Sequence, residues 1–204
     1  MAIPEKYNDL IVDWISDIAK AVNRIAAELH PYYPTPIKFL KTRQVKSPAR
    51  ANKYDAGIDF FVPEFTEKFI EDMKAKNPDC PFIPLEDGFI LRPHERILIP
   101  SGIHCQMSKP GRALITANKS GVATKTGLIF GAQVVDYEYQ GEIHISLINT
   151  SNQNVRIYAG MKAIQFLETP VFNSDIEVEE GKKPEEFYIE ITTRGVGGFG
   201  SSNK

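Results

Sequence analysis

The sequence predicts an all-β domain of the sandwich or barrel kind, and three observations carry that prediction. Short apolar runs with a two-residue period recur along most of the chain, separated by Gly, Pro, Asn and Asp clusters. Helical periodicity is confined to residues 4–30 and one short segment at 64–77. At 204 residues, with 42% apolar and 25% charged content, the chain has the size of one domain able to bury a core. The net charge of −2 leaves no broad basic footprint, so nucleic acid is not an expected partner.

Taken in order, residues 4–30 read as a helix. Ile11, Trp14, Ile15, Ile18, Val22, Ile25 and Leu29 recur at three- and four-residue steps and form one apolar stripe. Pro4 suits the start, and Pro31, Pro34 and Pro36 end it. Packing on its own domain is the default for such a stripe; a neighbouring subunit or another protein is the alternative. Residues 37–45 read as a strand whose Lys38, Lys41 and Arg43, with Lys46 and Arg50 beyond, make a solvated basic face. Next, Gly57 permits a bend or a close approach. Ile58, Phe60 and Val62 share one strand face, which leaves Asp59 on the other as an exposed carboxylate.

Phe65, Phe69 and Met73 sit at four-residue steps in a short helix over 64–77. A proline-containing loop over 80–88 follows. Short strands are expected at 89–91, 96–99 and 103–107, with Pro100, Ser101 and Gly102 as a turn. Beyond a strand at 113–117, residues 118–123 place small polar residues beside Gly121, able to present successive backbone N–H groups to an anion, with Lys119 adding charge. Val134 and Val135 deliver Asp136, Tyr139 follows, and Gln140–Gly141 turns the chain into the alternating Ile143, Ile145 and Leu147. That pattern predicts a hairpin with Asp136 and Tyr139 at its rim. A carboxylate there can act as a base, and an aromatic beside it can lie on a sugar ring.

Strands are expected at 155–158 and 162–167, the latter bearing Gln165, then a loose connection over 169–184 and a last strand at 187–192. Four glycines within 194–200 cannot build a core, so the tail should be mobile when free. Its Arg194, backbone amides and serines suit a polyphosphate, and Phe199 suits a base. Cys80 and Cys105 form no Cys-x-x-Cys pair and the four histidines show no metal-ligand spacing. With no secretory or membrane-spanning stretch in view, a cytoplasmic setting is expected.

Five stretches, 55–60, 118–123, 131–142, 160–167 and 194–202, occur in an order that resembles the five motifs of the homotrimeric dUTP pyrophosphatase (dUTPase) family. The Val-Val-Asp-x-x-Tyr-x-Gly-Glu stretch and the Arg-Gly-x-Gly-Gly-Phe-Gly-Ser tail are its specific parts, and the likeness runs from about residue 37 onward. The resemblance implies a jelly-roll-like β-barrel and a homotrimer with sites between subunits. It implies hydrolysis of dUTP to dUMP and pyrophosphate, with Mg²⁺ held by the triphosphate and water. The expected organisation is an N-terminal helical extension over 1–36, a β domain over 37–193 with an insertion at about 64–88, and a Gly-rich lid over 194–204.

Carried onto matching positions, Asp136 orients and activates the attacking water, and Tyr139 stacks under the deoxyribose. The backbone of Ala132, Gln133 and Val134 reads the uracil. Lys119, Ser120 and Gly121 hold phosphates, and Gln165 touches the triphosphate. Arg194 clamps the γ-phosphate and Phe199 covers the uracil. Gly198, Gly200 and Ser201 close over the phosphates, while Asp59 acts through water on Mg²⁺ or on the surrounding architecture.

The chain departs from the family pattern at Lys119 for Arg, Gln133 for Gly, Glu138 for Asp and Met161 for Asp. Gln133 bears on which pyrimidine enters. The helix and the insertion are additions that suggest a divergent branch, a viral one in a host cytoplasm included, and either addition could hold a protein partner. Three rivals stand beside the main reading: a dCTP deaminase with Glu142 as proton shuttle, a triphosphatase for a modified deoxyuridine nucleotide, and a regulatory binding protein on the same scaffold.

Overall fold

The computed structural model describes residues 8–29, 36–80, 82–190 and 192–193. Eleven strands and four helices alternate along it. They are α1 (Asn8–Leu29), β1 (Ile37–Lys41), β2 (Gly57–Phe61), α2 (Glu67–Lys76), β3 (Ile83–Leu85), β4 (Gly88–Leu91), β5 (Arg96–Met107) and β6 (Arg112–Asn118). Then come α3 (Ser120–Thr126), β7 (Leu128–Phe130), β8 (Val134–Val135), β9 (Ile143–Asn149), β10 (Val155–Tyr158), β11 (Lys162–Pro170) and α4 (Pro184–Phe187). The chain divides into two compact units, 1–172 and 173–204.

The two-residue period becomes inside–outside alternation. In β9, Ile143, Ile145 and Leu147 are buried between half-buried neighbours, and β10 buries Val155 and Ile157 while exposing Arg156 and Tyr158. Three antiparallel sheets result, ordered β1-β5-β9-β7, β10-β4-β3 and β2-β11-β6-β8. Their inner faces enclose one jelly-roll-like core of Phe60, Phe166, Phe89, Leu91, Ile99 and Ile145. Phe60 and Phe166 meet edge to face at 4.6 Å.

Pro100, Ser101 and Gly102 do not make the expected turn. β5 runs unbroken, and those residues form a bulge where its register on β9 slips. Ser101 Oγ donates to the Ile143 carbonyl at 2.6 Å, which holds the bulge to the neighbouring strand. Gly102 adopts φ 72°, and a Cβ there would lie 2.6 Å from the Cβ of Arg43, so only glycine fits. The expected loop over 80–88 likewise contains β3, whose Pro84 is tolerated because β3 is a sheet edge.

α2 forms as its four-residue steps predict and buries Phe69 and Met73. Thr66 caps it, its Oγ1 accepting from the Phe69 amide at 3.2 Å. Asn77 ends it and also fastens it to β5. Its Oδ1 accepts from Leu98 N at 2.7 Å, and its Nδ2 donates to the carbonyls of Leu98 and Met73.

The stripe of α1 does not pack on its own domain. Trp14 is 67% exposed, Ile15 58%, Val22 57% and Ile25 53%. Periodicity specifies an apolar face but not what covers it. The expected strand at 187–192 is also absent among the described residues. Pro184 at the first helical turn starts α4, which takes in Phe187, and 188–190 pair with no strand. No described helix is long and apolar enough to cross a membrane.

Candidate active site

Asp59 on β2, Gln165 on β11 and Ala117 on β6 face one another in a single row across the sheet. Asp59 is buried, not the exposed carboxylate its strand position predicts, because two lysines close over it. Lys119 Nζ lies 2.5 Å from Oδ1 and Lys162 Nζ 2.9 Å from Oδ2. Burial works against the charged carboxylate, yet the two ammoniums outweigh it and hold Asp59 below its ordinary range. Gln165 Nε2 donates to the Asn118 carbonyl at 2.9 Å, fixing the backbone that leads into Lys119. Gly57 is where that side chain needs room: a Cβ there would lie 2.1 Å from Gln165 Oε1.

Lys119 is the residue before α3, and Ser120 and Gly121 are its first two helical residues. The polar stretch after β6 is thus a helix start, whose leading N–H groups have no intrahelical acceptor. Ser120 and Gly121 are exposed, and a Cβ built on Gly121 meets nothing within 4 Å. Amides and an ammonium beside open space suit an anion.

The stretch around Asp136 differs from its expected form. β8 pairs with β6, whereas β9 pairs with β5 and β7, so residues 136–142 cross between two sheets and do not cap a hairpin. β8 is an edge strand. The Thr116 amide donates to the Gln133 carbonyl at 2.7 Å, which makes Thr116–Gln133 a hydrogen-bonded pair. The next pair, Ile115–Val134, is therefore non-bonded, and the Val134 N–H and C=O face the open edge. Ala132 and Gln133 are exposed just before it. An exposed main-chain donor and acceptor can read the edge of a base.

Tyr139 N donates to the Asp136 carbonyl at 3.2 Å, and Tyr139 Oη donates to the Glu142 carbonyl at 2.8 Å. The ring lies across Gly141, where a Cβ would come within 2.4 Å of the hydroxyl. Asp136 is exposed at the start of this turn. The turn ends on Glu142, gripped by Arg43 Nε at 2.8 Å and Nη2 at 3.2 Å and by the Gly102 amide at 2.6 Å. Burial raises the Glu142 carboxyl, but Arg43 and that amide prevail and hold it below its ordinary range. Arg43 also donates to Asp72 of α2 at 2.7 Å, which joins the insertion to the turn.

These two groups of residues do not meet within one chain. Continuing the β6–β8 register sets Asp136 opposite Ala113, whereas Lys119 lies six residues further along the chain, just past the end of β6. At the rise of a strand that is a separation of about 20 Å. Beside Tyr139 a groove of about 630 Å³ is lined by Lys38, Phe39, His104, Cys105 and Tyr137 among others, but not by Asp136 or Lys119. Among the described residues, no group of three or more His, Cys, Asp and Glu could hold a metal ion. Arg194, Gly198, Phe199, Gly200 and Ser201 lie outside the described residues.

Sequence reasoning missed Lys162 as the second cation on Asp59 and Arg43 as the clamp on Glu142. The strand period could have placed Lys162 near Asp59, since β2 and β11 are both apolar runs, but nothing local pairs residues 43 and 142.

The family model described as dUTPase matches residues 83–203. Among curated relatives, the deoxyuridine 5'-triphosphate nucleotidohydrolase of Psychromonas ingrahamii is 34% identical over 122 residues, 59% of this chain and 76% of that protein. The one from Wolbachia pipientis is 37% identical over 128 residues, 60% of this chain and 78% of that protein. Among solved structures, a point mutant of the Staphylococcus bacteriophage 80alpha dUTPase with dUpNHpp superposes with a TM-score of 0.61 at 19% identity, covering 83% of this chain and 99% of that one. A mutant dUTPase from phage phi11 of S. aureus, described for its coordination of a structural Mg(II) ion, superposes with a TM-score of 0.56 at 17% identity, covering 73% of this chain and 99% of that one.

Proposed function

The chain belongs to the dUTPase family and is a dUTP diphosphatase, and we propose that it hydrolyses dUTP in sites assembled between the protomers of a homotrimer. One observation carries the shared site: the acid on the 136–142 turn and the phosphate-binding start of α3 lie about 20 Å apart in one chain, too far to act on one nucleotide. A second protomer brings its own turn to the first protomer's Lys119.

In that site the open edge of β8 reads the uracil through the Val134 main chain. Tyr139 supports the deoxyribose. Lys119, with the Ser120 and Gly121 amides, neutralises phosphate charge. Asp59 is a positioning residue: it anchors Lys119, and Gln165 anchors the backbone before it. Asp136 orients a water toward the α-phosphorus. The water oxygen bonds to phosphorus as the bond from that phosphorus to the bridging oxygen breaks. Pyrophosphate leaves, and Asp136 takes the water's proton late. Before that step the lid residues Arg194, Gly198, Phe199, Gly200 and Ser201 cover phosphates and base and exclude bulk water.

Mg²⁺ is the ion proposed to accompany the triphosphate, and when bound it offsets phosphate charge. Both oxygens of Asp59 are occupied by ammoniums, so that residue fits a role on Lys119 better than one on the ion.

The deaminase rival needs a carboxylate that gains and loses a proton near neutral pH. Glu142 is locked by a two-pronged guanidinium and held below its ordinary range, which does not serve that task. Pyrophosphate and ammonia release measured across dUTP, dTTP, dCTP and UTP tests the reading. Pyrophosphate from dUTP alone supports it; ammonia from dCTP, or equal turnover of dTTP, would defeat it.

A further inference from the structure

The exposed face of α1 has the form of an assembly seam. Ile11, Ile15, Ile18, Val22 and Ile25 follow strict alternating steps of four and three, the spacing of a heptad with Ile15 and Val22 at a and Ile11, Ile18 and Ile25 at d. The flanking e and g positions are also apolar, Val12, Ala19 and Ala26 on one side, Trp14 and Ala21 on the other. Every charged residue between 11 and 26, namely Asp13, Asp17, Lys20 and Arg24, falls on the far face, where Lys20 bonds Asp17 at 2.9 Å.

We infer that α1 associates with its own copies in a parallel three-helix coiled coil. The choice of occupant rests on charge and side-chain shape. No charge stands on the seam or its flanks between residues 11 and 26, so over that stretch identical helices meet without like-charge repulsion. Ile at d with β-branched residues at a favours three or four strands over Leu-based pairs. The number three rests on the homotrimer reading above, and cyclic symmetry then makes the helices parallel. The geometry is adequate: 22 residues give a rod of about 33 Å, three heptads long. The area also matters. Val12, Trp14, Ile15, Ile18, Val22 and Ile25 are 44–67% exposed, a contiguous apolar patch of the kind that marks an interaction site. Most of a helix's stability in proteins comes from packing its apolar face, so a face left this open calls for a partner.

Two full-length variants test this. A thiol at the d position in Ile18→Cys should link chain to chain under mild oxidation, while one on the far face in Asp13→Cys should link at background level. The native thiols add little, burial having pushed Cys105 up to about 11. Equal linking by both variants, or none by Ile18→Cys, overturns the coil. In Ile18→Asp/Ile25→Asp the helical circular dichroism of α1 should be lost while dUTP turnover stays at the wild-type level; a retained helical signal also overturns it. Because turnover is read in parallel, a chain that links but does not hydrolyse dUTP indicts the enzymatic reading and leaves the coil standing.

Discussion

Replacing Arg43 by Met should destabilise the fold by about 3 kcal/mol, the low end for breaking a buried ion pair by removing one partner. The guanidinium makes three charge-assisted bonds, two to Glu142 at 2.8 and 3.2 Å and one to Asp72 at 2.7 Å. Arg43 and Glu142 side chains are 18% and 19% exposed, so water replaces little of what is lost. Glu142 would keep the Gly102 amide but no countercharge. Met retains most of the stem's packing, so the loss reads the charge rather than a cavity. Urea unfolding gives the magnitude, and Arg43→Met/Glu142→Gln should recover more than half of it, since the stranded charge is gone. Turnover should fall about tenfold, roughly 1.4 kcal/mol, because the backbone of Glu142 also anchors Tyr139. A loss below about 1 kcal/mol, the value of an exposed pair, with unchanged turnover would refute the clamp.

Gly141→Ala should raise KM for dUTP at nearly constant stability, because the new Cβ, 2.4 Å from the Tyr139 hydroxyl and 2.6 Å from its ring, displaces that side chain; unchanged kinetics would show that the ring does not support substrate. Burial lowers His144 from its ordinary value of 6.5, and its Nε2 has no partner. The unfolded chain therefore binds that proton more readily, so the stability His144 contributes is complete above about pH 6.5 and drains as pH falls from there. Glu142 and Asp59, also lowered, add a further loss beneath their ordinary values of 4.5 and 3.8. Thermal midpoints against pH should show both phases, with His144→Asn flattening only the upper one. Deleting 194–204 should leave a folded protein with severely reduced turnover, measured by pyrophosphate release; full activity would remove the lid from the mechanism.

Much of this architecture could be read from local pattern, and the failures share a cause. The inward faces of β9 and β10 followed from alternation, and α2 from Phe65, Phe69 and Met73, because periodicity reports which side of an element is dry. It does not report which element lies alongside. Hence Val134–Val135 and Ile143 were legible as strands, but their assignment to different sheets was not. Pro100, Ser101 and Gly102 carried turn chemistry that serves equally in a bulge, once the Ser101 hydroxyl reaches Ile143. The site residues were legible through the tightly spaced motifs of a family. Their supports, Arg43 on Glu142 and Lys162 on Asp59, join positions far apart in the chain and became visible only in three dimensions.

The shared site is the central claim, and complementation between two crippled variants tests it most directly. Asp136→Asn and Lys119→Met should each be nearly inactive alone. Refolded together in equal amounts, they should recover about a quarter of wild-type turnover, the chance that independent protomers supply an intact acid and an intact lysine to the same cleft. Recovery indistinguishable from either variant alone would mean that one protomer furnishes both, and the account would be wrong.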